Sequence, residues 1–438
     1  MKPYPRYKPT GLAWLPSVPE HWEVVKIGRL FRLFLGKMLT NAPSSPEDTF
    51  ERYACAKDVH FSGVDTSDLK EMWFSPKEKD FYQTKLGDLL VVEGGAGAGG
   101  AAIVENEDGF YIQNSLHLLR PKSERGSARF LKYWIYSIVS RGYIPYICNK
   151  ATIPHFTKEK VFYTSMPLPP PSEQDRIVRY LDEKTAAIDE LVRAKEREIE
   201  LLRERKQALV SAAVTGGLDP ATERKDSGVP WIGRIPKGWN KDKVTRIFSV
   251  VGSGTTPESG NMEFYSGATI PWMNSGDLYS GEAYITSTER KVTEAAIQKS
   301  SALKLYSGET IVIAMYGASI GNLGIANFSF CANQACCCLS NPRNGFATKY
   351  LFYALSSCKL NWLEASKGGS QPNISQNIIR QTWLPVPPLP EQRRIVAHLD
   401  SACSELDAAE AAIRKQIALL QELRTRLVSD AVTGAVEV

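Results

Sequence analysis

Pro169-Pro170-Pro171-Ser172-Glu173-Gln174-Asp175-Arg176-Ile177-Val178 recurs as Pro387-Pro388-Leu389-Pro390-Glu391-Gln392-Arg393-Arg394-Ile395-Val396, at a shift of 218. The same shift holds where Ala213-Val214-Thr215-Gly216 matches Ala431-Val432-Thr433-Gly434, so neither copy has taken an insertion between these points. Further upstream, Trp14, Pro19, Trp22, Lys26, Arg29 and Phe31 correspond to Trp231, Pro236, Trp239, Lys243, Arg246 and Phe248, now at 217. Between the anchors the halves diverge and need gaps. The chain is a tandem duplication with the plan variable block, fixed rod, variable block, fixed rod, and its period is far too long for a solenoid.

The fixed stretches are rods because their ends forbid anything else. Prolines exclude helix upstream, and Thr-Gly is an ordinary helix stop, which predicts helices near 172–215 and 390–433. In the second, Leu399, Leu406, Ile413, Leu420 and Leu427 fall every seven residues, with Ile395, Ala402, Ala409 and Leu423 as most of a companion column. The first carries Leu181, Ile188, Lys195, Leu202 and Leu209 at the matching places, with Ile177 and Leu191 beside them. Such a stripe is a coiled-coil seam. At about 1.5 Å per residue each rod spans roughly 60 Å, too long to be buried in one globular domain. The expected partner of each rod is the other, running antiparallel across a pseudo-twofold axis, with the variable blocks at opposite ends.

The 438 residues suggest two to four domains, and 43% hydrophobic content is ample for cores. A balance of 53 basic to 48 acidic residues permits nucleic acid as a partner without demanding it. The start, Met1-Lys2-Pro3-Tyr4-Pro5-Arg6, has no apolar signal region, and the run Ile311 to Ala326 is interrupted by glycines and Asn322. These features predict a soluble, cytoplasmic protein with no membrane partner. The eight cysteines show no CxxC spacing, and adjacent residues of Cys336-Cys337-Cys338 on a strand point to opposite faces, so they read as reduced and buried rather than metal-binding.

The variable blocks, about 14–168 and 231–386, mix short apolar runs such as Asp88 to Val92 and Glu309 to Ile313 with one clear helix each, Ala128 to Ser140 and Ala347 to Ser356. The class is mixed α and β. Gly95, Gly97 and Gly100 spell a dinucleotide fingerprint, but no helix pattern follows, so a tight loop is the reading. Asn341-Pro342-Arg343-Asn344 lacks the second proline and the aromatic residue of an amino-methyltransferase loop. With no P-loop, HExxH or GxSxG, and five histidines without ligand spacing, the chain is expected to do no chemistry alone.

The duplicated Pro-Pro-x-x-Glu-Gln-x-Arg-Ile-Val entries, the Ala-Val-Thr-Gly exits, and Asp226 to Trp239 with its counterpart Trp14 to Trp22 resemble the specificity subunit of type I restriction-modification enzymes over essentially the whole chain. That resemblance implies an α+β fold of two globular target recognition domains separated by two long helices in an antiparallel coiled coil, pseudo-twofold symmetric. On it the chain divides into a first recognition domain (1–168), a first long helix (169–216), a linker and second recognition domain (217–386) and a second long helix (387–434). It implies double-stranded DNA as target, read as a bipartite site with one domain per half. The partners it implies are two modification subunits, which bind S-adenosylmethionine and methylate adenine, and restriction subunits using ATP and Mg. No cofactor and no metal are expected on this chain itself.

Contact residues carry over only as loop positions. The candidates are Lys57, Lys150, Thr152, His155, Ser253, Thr255, Asn274, Tyr316, Ser319, Lys367, Ser370, Gln371 and Asn373, whose amide, hydroxyl and cationic groups match the donors and acceptors of base edges. Trp14, Trp22, Trp231, Trp239, Pro19 and Pro236 are assigned to packing. The coiled-coil seam is expected to hold Ile177, Leu181, Ile188, Leu191, Leu202, Leu209, Ile395, Leu399, Leu406, Ile413, Leu420 and Leu427. Two other readings stay open: a coiled-coil interaction protein without a DNA role, allowed by the low net charge, and a self-contained DNA methyltransferase, for which no cofactor loop recurs in both halves.

Overall fold

The structure, a computed structural model, describes residues 2–148, 154–278, 283–366 and 373–438. The chain forms two units, Met1–Glu196 with Arg414–Val438, and Arg197–Ile413.

In the first unit the strands β1 (Phe31–Leu35), β2 (Leu89–Val92), β3 (Ala101–Ile103) and β4 (Leu116–Pro121) form an antiparallel sheet in the order β3-β2-β4-β1. Successive side chains on a strand face opposite ways. Leu89, Val91 and Leu119 enter one core, with the helix α1 (Ala128–Ser140), while Leu90, Val92 and Leu118 enter a second core on the other face. Because both faces are covered, the strands read as unbroken apolar runs.

The second unit repeats this plan. Its strands β5 (Phe248–Gly252), β6 (Thr310–Ala314), β7 (Leu323–Ala326) and β8 (Cys336–Pro342) follow the order β7-β6-β8-β5, with Tyr284–Ile285 added at the β7 edge. Ile311 and Ile313 face the core that holds the helix α3 (Thr348–Ser356), while Val312 and Ala314 face the other. The long helices α2 (Pro171–Gly216) and α4 (Leu389–Thr433) carry the fixed segments. Each is closed by a glycine in the left-handed region, Gly217 at φ +73° and Gly434 at φ +72°. A side chain on Gly434 would strike Pro19 and Trp22, and one on Gly217 would crowd Trp239, so each helix ends against a duplicated tryptophan.

Each unit clasps one end of both long helices. Ile177, Val178 and Leu181 share the first core with Val428, Ala431 and Val432, and Val210, Ala213 and Val214 share the second with Ile395, Leu399 and Cys403. Within the second unit Arg203 pairs with Glu410 at 2.7 Å and Lys206 with Asp407 at 2.6 Å. One helix advances three residues as the other retreats three, so the pair is antiparallel. In the first unit Arg424 pairs with Asp189 at 3.1 Å and lies 4.6 Å from the Tyr136 ring centroid.

The companion column of the seam is mixed: Ile177 and Ile395 are buried and Ala402 and Ala409 half-buried, but two members differ from expectation. Leu191 stands 51% exposed and Leu423 46% exposed, while the partly or fully buried companions include Val192, Ile199, Lys206, Cys403, Glu410, Ile417 and Arg424. The physical reason is that long polar side chains bury their aliphatic stems while their charged ends pair at the rim. Apolar content alone therefore marked the neighbouring column.

One buried glutamine fastens each domain to its helix, in the same way in both halves. Gln174 donates to the carbonyls of Arg125 and Pro169, both at 2.8 Å, and accepts from Ser127 N at 3.0 Å. Gln392 donates to Gly345 (3.0 Å) and Pro387 (2.9 Å) and accepts from Ala347 N at 2.9 Å. Ser127 and Ala347 are the cap residues of α1 and α3. The same helices are tied again through Tyr133 to Asp182 and Tyr353 to Asp400, both 2.7 Å.

Candidate functional site

Sheet register decides which loops meet. In the first unit Leu35 lies opposite His117 and Val92 opposite Leu116, so the segments beginning at Gly36 and Glu93 and the one ending at Ser115 emerge at one end of the sheet. They are tied together by Gly36 N to Leu116 O (3.0 Å), Glu93 N to Ser115 O (2.8 Å), Asn114 N to Lys37 O (2.8 Å) and Phe156 N to Glu93 O (2.6 Å). In the second unit Ala314 lies opposite Cys336; Met315 N to Ala335 O (2.8 Å) and Ile374 N to Met315 O (2.8 Å) repeat two of these ties, while Gly254 N bonds to Asn333 O (3.3 Å). Gly36 and Gly254 allow the closest approach: a side chain on either would collide with the backbone carbonyl of Gln113 or Ala332.

The expected residues divide according to what surrounds them. Lys57 is half exposed and pairs with Asp58 at 2.9 Å, and this bond holds its ammonium above the usual lysine range. Asp58 also accepts from Cys55 N at 2.8 Å, and Asp277 does the same for Asn274 N at 2.8 Å, so both aspartates shape a turn. His155 and Asn373 are exposed at equivalent places before Phe156 and Ile374, with His155 bridged to Gly94. Tyr316, half-buried beside Gln334, is pushed up by burial. Asn274 donates to Trp272 O at 2.8 Å and accepts from Asn333 at 2.9 Å, bracing two loops. Ser253 and Thr255 are half-buried on the strand exit, where Ser253 O accepts from Tyr306 at 3.1 Å.

Ser319 is a correction. It is 2% exposed, in a turn where its carbonyl accepts from Asn322 N at 2.9 Å, so almost none of it is open to a ligand. Lys150, Thr152, Lys367, Ser370 and Gln371 lie outside the described residues. The Gly94–Gly100 loop is a hairpin with Gly95 and Gly99 at positive φ, and strand β3 follows it.

Sequence reasoning missed the centre of each site. Gln113 accepts from Ser115 N (3.1 Å) and its hydroxyl (2.5 Å) and donates to Asn114 Oδ1 at 2.6 Å. Asn333 likewise accepts from Ala335 N at 3.0 Å, and the adjacent Gln334 accepts from the Thr256 hydroxyl at 2.7 Å. The signal was present as an amide pair recurring just before the strand, Gln113-Asn114 and Asn333-Gln334, at a shift of 220. Behind the first site, His117 is fully buried; its Nε2 donates to Phe156 O at 2.9 Å, and burial lowers its pKa to about 4. Cys337 holds the equivalent place in the second unit, pushed up by burial to about 12.

No helix of the described residues is long and apolar enough to cross a membrane. The type I restriction modification DNA specificity domain matches residues 19–201 and again 236–419. The putative type I restriction enzyme MjaX specificity subunit of Methanocaldococcus jannaschii is 22% identical, covering 96% of this chain and 95% of its own. The EcoDI specificity subunit of Escherichia coli is 23% identical over 95% and 89%. A solved chain from a study of complex assembly and conformational transition in the type I restriction-modification system aligns with a TM-score of 0.71 at 20% identity, over 96% of this chain and 99% of that one. Two copies of one DNA specificity domain on a doubled α+β scaffold place this chain in the family of type I restriction-modification specificity subunits, non-catalytic DNA-recognition proteins whose catalytic activities sit on other subunits.

Proposed function

We propose that the chain reads a bipartite DNA target, one half-site per recognition domain, with the antiparallel helices as the spacer between them. The carrying observation is that both units gather the same loops at the same sheet end and share the ties Glu93 N to Ser115 O with Met315 N to Ala335 O, and Phe156 N to Glu93 O with Ile374 N to Met315 O, while the side chains presented differ, His155 against Asn373 and Asn114 against Gln334. One frame with two sets of donors and acceptors suits two different base sequences. On this reading two modification subunits, carrying S-adenosylmethionine, dock on the scaffold and methylate adenine in each half-site, and restriction subunits bring ATP and Mg. The chain divides functionally as 1–168, 169–216, 217–386 and 387–434, and it works in the cytoplasm.

The test exchanges residues 231–386 for the second block of another family member and maps methylated adenines produced with the modification subunit on a DNA library. One half of the methylated site should change and the other persist. A change in both halves would overturn independent reading, and absence of any methylated site from the unaltered complex would overturn the DNA role.

A further inference from the structure

The two sites have diverged in most side chains but keep one arrangement. Gln113 and Asn333 are both turned inward, each accepting from the backbone N–H two residues on, and each is followed by a second amide. The acceptor oxygen of that second amide is occupied in both halves, Asn114 Oδ1 by Gln113 at 2.6 Å and Gln334 Oε1 by Thr256 at 2.7 Å. Each amino group retains at least one N–H without a partner among the described residues, even counting the Tyr316 hydroxyl close to Gln334. Asn114 is half-buried and Gln334 exposed, at equivalent points of sheets with the same strand order. Gln113 holds the second amide in place in the first half and Thr256 does so in the second, and what that second amide offers outward is a donor.

From this we infer that Asn114 and Gln334 are a matched pair of specificity-determining donors, each contacting a base-edge acceptor at the same offset from the methylated adenine in its own half-site. The inference rests on the bipartite reading proposed above. A feature shared by two otherwise different readers answers to something shared by two otherwise different targets. The acceptors open to an amino donor in the major groove are guanine O6 and N7, adenine N7 and thymine O4.

The experiment uses the full chain assembled with its modification subunit and a randomised DNA library, read out as the methylated motif. Asn114→Ala should relax one position of the first half-site by about tenfold in preference, and Gln334→Ala the position at the same offset in the second. Asn114→Asp and Gln334→Glu keep the internal acceptor and its partner, so they guard against a folding failure. A carboxylate accepts where the amide donated, so these variants should move preference at that one position toward the amino-bearing bases cytosine or adenine, whereas added charge against phosphates would lower methylation evenly. An unchanged motif in the Ala or the acidic variants, changes at unequal offsets, or a change in the opposite half would overturn the inference. If the unaltered complex gives a bipartite motif and the variants do not alter it, only this inference falls; if it gives none, the reading beneath it falls as well.

Discussion

The two halves bury the same tryptophan at the same helix junction, yet they satisfy it differently. Trp239 donates its Nε1–H to Glu391 at 2.8 Å, whereas Trp22 Nε1 is buried without a partner among the described residues. The reason lies in the matching carboxylate. Glu173 accepts from the Tyr4 hydroxyl and lies 2.9 Å from His21 Nε2, so the N-terminal stretch of the first domain has taken over the acceptor that Trp239 keeps in the second. Duplication preserved the packing, and the hydrogen bonds were redistributed around it. A frame held by volume and backbone geometry tolerates such exchange, which is also what two recognition surfaces on one frame require.

The strongest way to break the equivalence of the halves is to remove a glutamine that both share. Gln174→Ala should cost about 4 kcal/mol, because two carbonyls and one N–H lose their buried partner together, and Gln392→Ala should cost the same. Urea unfolding followed by amide exchange should place the loss in the unit carrying the substitution. Equal loosening of both units by either change would show that they are not separately fastened.

Acid should separate the halves next. An unfolded chain protonates His117 below its ordinary 6.5, while the folded domain resists until about 4. The unfolded state therefore binds more protons in that window, so stability is complete above pH 6.5 and is lost as pH falls toward 4, by up to about 3 kcal/mol. His117→Cys, which copies the second half, should remove this slope. Unfolding free energies of both proteins at pH 7 and pH 4 decide the matter, and identical slopes would remove His117 from the account.

The smallest effect sharpens the opening contrast. Trp239→Phe and Trp22→Phe lose similar volume, but only the former abandons a bond to a carboxylate. It should destabilise by about 2 kcal/mol more in thermal or urea unfolding. Equal losses would mean that the Glu391 bond contributes nothing net.

Much of the fold was legible because its limits are set by residues with few conformational choices. Prolines 169–171 and Gly216-Gly217 bound one helix, and Pro387, Pro388 and Gly434 bound the other. Part of the companion column of the seam was not legible, since Lys206, Glu410 and Arg424 bury their stems and are paired at their ends, which an apolar count does not detect. In the candidate sites, sequence placed the loops but could not tell Ser319, folded inward, from Asn373, facing out. Which hydroxyl or amide is consumed by its own turn depends on register across strands far apart in the chain. The amide pairs were overlooked because each lies between apolar strands and suggests a turn, and only their recurrence gives them meaning.

The first unit has a consequence for synthesis. Its core needs Val428, Ala431 and Val432, and Glu437 N donates to Lys2 O at 2.8 Å, so the domain that emerges first cannot close until the whole of Arg197–Ile413 has been made. At ordinary translation rates that is roughly 10 to 40 s during which Trp22, Leu181 and their neighbours lack their final cover. The second unit has all its parts by then and can fold beforehand. The order of assembly thus runs opposite to the order of the domains along the chain, and the exposed first half is the one that would meet chaperones.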